Sequence, residues 1–427
     1  MNQRNGWHST AVKDIAAKSR HSFIDGDWIE APFITTSGIR LIQTGNIGVG
    51  TFIDKNTKFI SEASFKALRC KPVHEGDILI CRLADPIGRS CIVPSLDTLA
   101  ITSVDVAILR VDESNYHRDF IAHALNQPTF LSACLEHSAG STRQRISRTN
   151  LGVIPILVPE DKVEQSKIAE VLSTVDRAIE QTEAVIAKQQ RIKSGVMQDL
   201  LTRGIDEHGN LRSEQTHQFK DSPLGRTPVE WEVTTVGGQF TLRRERGRPG
   251  LPVMSIMMNH GLVERSKVDR RVESALPDEG HALVLEGDIA YNMMRMWQGV
   301  LGRASFECLV SPAYVVLKPR ISIDSRFAEW LFRDLRMIHA FRRASRGVVD
   351  DRLRLYPYDM FLIPFAMPTS PDEQSLIVER LESQKALIAT AVRDLEKLRH
   401  IRAGLVQDLL TGNRRVTALL APGVVTA

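Results

Sequence analysis

The stretch PEDKVEQSKIAEVLSTVDRAIEQTEAVIAKQQRIKSGVMQDLLT, Pro159 to Thr202, returns later in the chain as PTSPDEQSLIVERLESQKALIATAVRDLEKLRHIRAGLVQDLLT, Pro368 to Thr411. Gln165 pairs with Gln374, Gly195 with Gly404 and Leu201 with Leu410, each pair 209 positions apart (374 − 165, 404 − 195, 410 − 201), with no insertion between them. A core helix has no need to keep its length to the residue across a repeat. A gap-free copy therefore points to a spacer or scaffold rather than to two ordinary core helices.

Each copy reads as one long helix. In the first, Ile168, Val175 and Val196 lie on one row of sevenfold spacing, and Leu172, Ile179, Ile186 and Leu200 lie on the row beside it. Val171, Ala178, Val185 and Ile192 fill the flank. The second copy repeats the face with Ile377, Leu381, Leu387, Ile388, Leu395, Leu398, Leu405 and Leu409. This is the period and width of a coiled-coil seam. Ser370 is placed as N-cap, with Pro371 at the first helical position and Glu373 closing a capping box, while Gly204 and Gly412 sit where a left-handed C-terminal residue is wanted. A helix of about 40 residues is roughly 60 Å long, enough to hold two bodies apart.

The chain has 427 residues, room for two or three domains, and its 43% hydrophobic and 25% charged content is that of an ordinary globular protein. A net charge of +4 favours an anionic partner only weakly. Cys70, Cys81, Cys91, Cys134 and Cys308 lack C-x-x-C spacing, which argues against a zinc cluster or a disulfide scaffold and fits a reducing cytoplasm. MNQRNGWHST has no apolar stretch after its basic residues, so no secretory signal is expected, and no run is apolar enough to span a bilayer.

The segments preceding the two helices also match each other. Trp7 and Val12 correspond in spacing to Trp231 and Val236, and Glu75-Gly76-Asp77-Ile78-Leu79 reappears as Glu286-Gly287-Asp288-Ile289-Ala290, a turn feeding a short strand. GSTRQRI (Gly140 to Ile146) faces GVVDDRL (Gly347 to Leu353), which aligns Arg145 with Arg352. Both segments close on I-P-x-x-x-P, at Ile154 to Pro159 and Ile363 to Pro368. Strands are expected at 40–43, 77–82, 104–111, 288–293 and 314–318, and helices at 116–125 and 326–341. Strands first and helices after make the class α+β. The expected order is a globular domain over 1–158, a helix over 159–204, a polar linker over 205–222, a second globular domain over 223–367, a second helix over 368–412 and a loosely ordered tail over 413–427. The helices have stayed alike while the domains have drifted, as expected for one frame carrying two different faces.

No catalytic constellation is recognisable. Ser311-Pro312-Ala313-Tyr314 imitates the loop of amino-methyltransferases but lacks its second proline and reads as a strand start. Gly45-Asn46-Ile47-Gly48-Val49-Gly50 lacks the G-K-[ST] of a phosphate loop, and His117-Arg118-Asp119 lacks the downstream Asn of a kinase loop. Arginine is conspicuous instead. Arg243, Arg244, Arg246 and Arg248 crowd a Gly/Pro-bearing loop; Arg342, Arg343, Arg346, Arg352 and Arg354 follow the later helix; Arg143, Arg145 and Arg148 stand in the first domain. A charge run is often only a solvated face, and Arg352 could pair with Asp350 or Asp351. The planar guanidinium also suits phosphate and the guanine edge, which makes duplex DNA the expected partner.

These features together resemble the specificity subunit of type I restriction-modification systems. SPLGRTPVEW (Ser222 to Trp231) is similar to the opening of that family's target-recognition domain, and the two E-Q-S…G-x-x-Q-D-L-L-T helices (Glu164 to Thr202, Glu373 to Thr411) are similar to its two conserved spacer regions. The resemblance implies two target-recognition domains reading the halves of a split, asymmetric DNA site, held apart by the helices as an antiparallel coiled coil. It implies no catalysis and no cofactor on this chain. Two modification subunits would bring S-adenosylmethionine and methylate adenine, and restriction subunits would use ATP and Mg2+. The residues alone also fit a stand-alone DNA-binding regulator or a coiled-coil adaptor that binds protein.

Overall fold

The protein is described from a computed structural model, which describes residues 6–83, 85–268, 276–349 and 352–416. The chain divides into two compact units, residues 1–183 with 393–427, and residues 184–392. Both expected helices are present, over Lys162–Leu200 and Pro371–Leu409. The division cuts each of them, so each unit owns the first part of one and the last part of the other.

Within unit 1 the start of the first helix packs against the end of the second. Ile168 and Leu172 share a core with Leu409 and Leu410, and Leu405 and Val406 pack on its edge. Arg402 is ion-paired with Asp176, and Arg399 Nη2 reaches Glu183 Oε1 at 2.7 Å. Unit 2 has the reciprocal arrangement, with Leu200 and Leu201 in one core with Ile377, Val378 and Leu381. The pairing is therefore antiparallel. Every seam residue named from the sequence is buried or half-buried, including Val175, Ile179, Ile186, Val196, Ile388 and Leu395, whereas the expected face residue Leu387 and the flanking Val185 and Ile192 are exposed.

The globular parts repeat one architecture. Trp7–Ala11 pairs antiparallel with Pro155–Pro159, Trp7 opposite Pro159; Trp231–Thr235 pairs with Pro364–Pro368, Trp231 opposite Pro368. Each I-P-x-x-x-P run is thus the strand that returns the chain to where its domain began. An antiparallel sheet follows, with spatial order Phe23–Asp25, Val106–Leu109, Ile78–Cys81, Ser90–Ile92 in unit 1 and Phe240–Leu242, Tyr314–Pro319, Ile289–Asn292, Leu301–Arg303 in unit 2. A second sheet in each unit contains one parallel pair, Ile39–Ile42 with Ala100–Thr102 and Val253–Met257 with Cys308–Val310. Gly76 (φ +85°) and Gly287 (φ +86°) make the turn that precedes each central strand, a conformation that favours glycine.

Several expectations need correction. The helix expected over 326–341 is two, Ser325–Phe332 and Leu335–Ala344, because Asp334 caps the second by accepting from Arg336 N at 3.1 Å. Residues 205–222, expected as a polar linker, carry Ile205 into the core of unit 2 and bury Arg212, and Phe219–Ser222 forms a hairpin with Gly225–Pro228. The tail is held as far as Val416, which is buried in the core of unit 1; 417–427 lie outside the described residues. Glu373 does not close a capping box. Ser370 Oγ accepts from Glu373 N at 3.4 Å, but the Glu373 carboxylate turns inward to Arg212.

That inward turn is one half of a reciprocal clasp. Glu373 accepts from Arg212 Nη2 (3.0 Å), Trp231 Nε1 (3.0 Å) and Ile205 N (3.1 Å), so an arginine beyond the end of the first helix grips the start of the second. In unit 1 the fully buried Glu164 accepts from Arg415 Nε and Nη2, both at 2.6 Å, so an arginine beyond the end of the second helix grips the start of the first. Gly204 (φ +64°) and Gly412 (φ +65°) terminate the helices as expected and press on Trp231 and Trp7. Beside each clasp a glutamine ties helix to domain. Gln165 donates to Pro159 O (2.9 Å) and accepts from His117 N (2.7 Å); Gln374 donates to Pro368 O (3.0 Å) and accepts from Asp324 N (2.7 Å).

Candidate functional site

The arginines singled out from the sequence do not form one class. Arg243 is not a surface contact at all. Its side chain is 5% exposed and grips the buried Asp288, with Nη2 at 3.1 Å from Oδ1, and this pairing raises its pKa further. Asp288 belongs to the E-G-D turn and also accepts from Leu285 N, so Arg243 fastens the turn. Asp77, at the same place in unit 1, is fastened by Arg110.

Four more are held by carboxylates. Arg145 pairs with Asp105 at 2.9 Å, and Arg148 with Asp25 at 3.1 Å while lying over the Phe23 ring. Arg248 pairs with Glu307 at 3.0 Å. Arg346 makes a two-pronged pair with Asp359 at 2.7 and 2.8 Å and lies over the Tyr358 ring, and its hydrogen bonds to Asp359 and to Tyr358 raise its pKa well above the usual range. Arg143, Arg244, Arg246, Arg343 and Arg352 are exposed and have no carboxylate partner among the described residues. The alternative partners Asp350 and Asp351 lie outside the described residues.

Unit 2 brings Arg244, Arg346, Arg352 and Arg354 around one open cleft of about 1180 Å3, floored by Leu242, Met294 and Phe361 and walled by Tyr356 and Tyr358. Arg343 is elsewhere, on a smaller concavity of about 340 Å3 with Arg336 and Arg226. The sequence reading missed the tyrosines and Met294. The only signal for them was the run Leu355-Tyr356-Pro357-Tyr358 beside the arginines. Unit 1 has a smaller concavity of about 390 Å3, lined by Trp28, Thr44, Asn46, Lys55, Asn56 and Asp105 among others. Trp28 is 70% exposed there.

The alignment of Arg145 with Arg352 also needs correction. Arg145 exchanges backbone hydrogen bonds with Ala139, and Arg354 exchanges them with Arg346. The next residue then donates to the end of the central strand, Ile146 N to Arg82 O and Leu355 N to Met293 O. Arg145 is therefore equivalent to Arg354. The unit 2 loop is two residues longer, and the extra length precedes Arg352, which corresponds to Arg143: Gly140 faces Arg143 O as Gly347 faces Arg352 O.

These surfaces can bind an anion. Among the described residues no group of His, Cys, Asp and Glu could hold a metal ion. All five cysteines are buried, and burial pushes the Cys91 and Cys134 thiols up to about 12 and Cys308 to about 11, far from a reactive thiolate. No described helix is long and apolar enough to cross a membrane.

Comparison with known proteins agrees with this organisation. Residues 11–189 match the family described as Type I restriction modification DNA specificity domain. The chain is 24% identical over 274 residues to the type I restriction enzyme MjaVIII specificity subunit of Methanocaldococcus jannaschii, covering 60% of this chain and 61% of that protein. It is 25% identical over 169 residues to the putative MjaX specificity subunit of the same organism, covering 38% and 37%. The matches thus span less than two thirds of either relative. Its fold is that of the S subunit of a type I system from M. genitalium, with a TM-score of 0.58 at 16% identity over 96% of this chain and 98% of that one. A second type I restriction-modification structure, from work on complex assembly and conformational transition, gives 0.57 at 12% identity over 96% and 99%. Residues 11–189 thus match a type I restriction-modification DNA specificity domain, and the chain along nearly its whole length has the fold seen in type I restriction-modification S-subunit structures.

Proposed function

We propose that this chain is the DNA-recognition subunit of a type I restriction-modification complex, in which each unit reads one half of a split, asymmetric site and the helices set the distance between the halves. The observation that carries the reading is the contrast inside the repeat. Sheet order, glutamine tie and arginine clasp occur in both units, while the residues facing solvent at equivalent places differ in charge and size. A symmetric regulator on a palindrome has no use for two different faces.

Adenine methylation would be carried out by modification subunits that bring S-adenosylmethionine, and cleavage by restriction subunits that use ATP and Mg2+. A repeated patch on the helices supports two copies of one partner. Gly195 and Gly404 lie exposed inside their helices with open space where a Cβ would be, and Ile192 and Ile401 stand one turn earlier, 38% and 52% exposed. A glycine costs a helix interior about 1 kcal/mol, so an unpacked one in both copies suits close approach of another helix.

Methylated adenines should be mapped in the host with and without this gene. A two-part motif methylated in both halves should vanish on deletion, and the purified chain should transfer no methyl group from S-adenosylmethionine unless the modification subunits are added. An unchanged methylation map, or turnover by the chain alone, would sink the proposal.

A further inference from the structure

Strand register identifies which positions of the two units are equivalent around the cleft. In unit 1, Phe23 lies opposite Leu109 and Ile78 lies opposite Leu109 on its other side; in unit 2, Leu242 and Ile289 flank Leu317 in the same way. Phe23 therefore corresponds to Leu242, and two residues on, Asp25 corresponds to Arg244. Counting back along the central partner, Val106 corresponds to Tyr314 and Asp105 to Ala313.

These equivalences put opposite chemistry at the same place in the fold. In unit 1 Asp25 holds Arg82 and Arg148, each at 3.1 Å, and Asp105 holds Arg145 at 2.9 Å, so the arginines are neutralised where they stand. In unit 2 one of those carboxylates has become Arg244 and the other the exposed Ala313. Arg354, the counterpart of Arg145, has no carboxylate partner among the described residues, and Arg352, the counterpart of the exposed Arg143, lines the same cleft. What is an ion-paired cluster in one unit is in the other, among the described residues, an open cleft with three guanidinium groups that no carboxylate compensates. Arg346, held by Asp359 and stacked on Tyr358, supplies a fixed wall rather than a free charge.

On the reading of the chain as a DNA-recognition subunit, we propose that Arg244, Arg352 and Arg354 form a docking site for the phosphate backbone of duplex DNA, of which unit 1 keeps only the arginine equivalent to Arg352, Arg143. The two units then grip their half-sites by different physics. Unit 2 gains affinity by displacing counterions from several phosphates. Unit 1, where the places of Arg244 and Arg354 hold an acid and an ion-paired arginine, depends more on directional contacts from groups such as Asn46, Asn56 and Trp28. Binding at the unit 2 half-site is the salt-sensitive part of recognition.

The test is the dependence of affinity on salt, measured by fluorescence anisotropy with the full chain and a fluorescein-labelled random-sequence duplex. Each phosphate contact adds about 0.9 to the slope of log K against log salt. The triple variant R244Q/R352Q/R354Q should lower the slope by roughly 2 to 3, and R145Q by well under 1. Transplanting the acid of unit 1 with Ala313→Asp should lower the slope by about 1, and Asp105→Ala should raise it by about 1 as Arg145 is released. All these positions are at least partly exposed, and circular dichroism melts confirm that each variant folds. If the wild-type chain does not bind duplex at all, the DNA-recognition reading falls with the inference. If it binds and the triple variant keeps the wild-type slope, or R145Q lowers it equally, the cleft assignment alone falls. A triple variant that keeps its slope but changes the methylated motif would assign these arginines to base reading and overturn the phosphate site.

Discussion

Glu373→Ala should be among the most damaging single substitutions in unit 2. The side chains of Glu373 and Arg212 are 8% and 7% exposed, so removing the carboxylate leaves a buried guanidinium with only the distant, half-exposed Glu230 at 3.8 Å. Breaking one side of such a pair costs about 3–5 kcal/mol. Trp231 Nε1 and Ile205 N lose their acceptor at the same time, which pushes the loss toward the upper end. The double variant Arg212→Met with Glu373→Met should recover part of it, because no buried charge remains. A chain of two units has no single unfolding free energy, so the measurement is native-state hydrogen exchange resolved by peptide. Peptides from Trp231–Thr235, Pro364–Pro368 and the start of the second helix should lose protection, while those from Trp7–Ala11 keep theirs. A loss below about 1 kcal/mol, or equal loss in both units, would refute the reasoning.

Replacing Gly195 and Gly404 by alanine should stabilise the isolated chain by about 0.5–1 kcal/mol each in thermal melts, since nothing occupies the space a Cβ would take, while weakening capture of modification subunits in a pull-down. Inserting one heptad after both Thr182 and Ala391 lengthens the helices by about 10 Å, so methylation mapping should show the spacer grown by roughly three base pairs with the half-sites unchanged; an active variant with its original spacer would end the ruler idea. Burial lowers the pKa of His123 from its ordinary value, with Asp176 opposing and Arg402 reinforcing the shift. The unfolded chain then binds the proton more readily than the folded one, so unit 1 should lose stability as pH falls below about 6.5, by up to about 1.4 kcal/mol per unit until the folded value is passed. Thermal melts of wild type and His123→Gln across that range check this: the variant should show a shallower fall.

The repeat, the two helices, the terminating glycines and the paired strands were legible because each is written in local pattern. Heptad spacing, Gly204 and Gly412, and the E-G-D turn all act within a few residues of themselves. What could not be read depends on partners distant in sequence. Nothing near Glu373 marks it as the acceptor for Arg212, since the local rules for a helix start favour the capping box that it does not form. Ile205 and Arg212 sit in a stretch whose composition is that of a linker, and only the opposite helix makes them core. The arginines failed as a class for the same reason. Arg243 and Arg244 are neighbours, yet strand alternation sends one inward to Asp288 and the other to the cleft. An ungapped comparison of the arginine loops cannot show the extra residues before Arg352, which only the backbone pairing of Arg346 with Arg354 locates.

The same contrast explains why the helices have stayed alike while the faces diverged. Each helix begins in one unit and ends in the other, so a substitution on it must satisfy two cores, a glutamine tie at one end and a clasped glycine at the other. Rim residues meet only solvent and whatever binds there. Moreover, each globular part enters and leaves the frame through one pair of adjacent strands, Trp7 opposite Pro159 and Trp231 opposite Pro368. Between those anchors the chain can change loop length, as around Arg352, or invert a charge, as from Asp25 to Arg244, without disturbing the tie or the clasp. A frame that fixes the ends of a domain and leaves its interior loops unconstrained is what allows one chain to present two unlike surfaces.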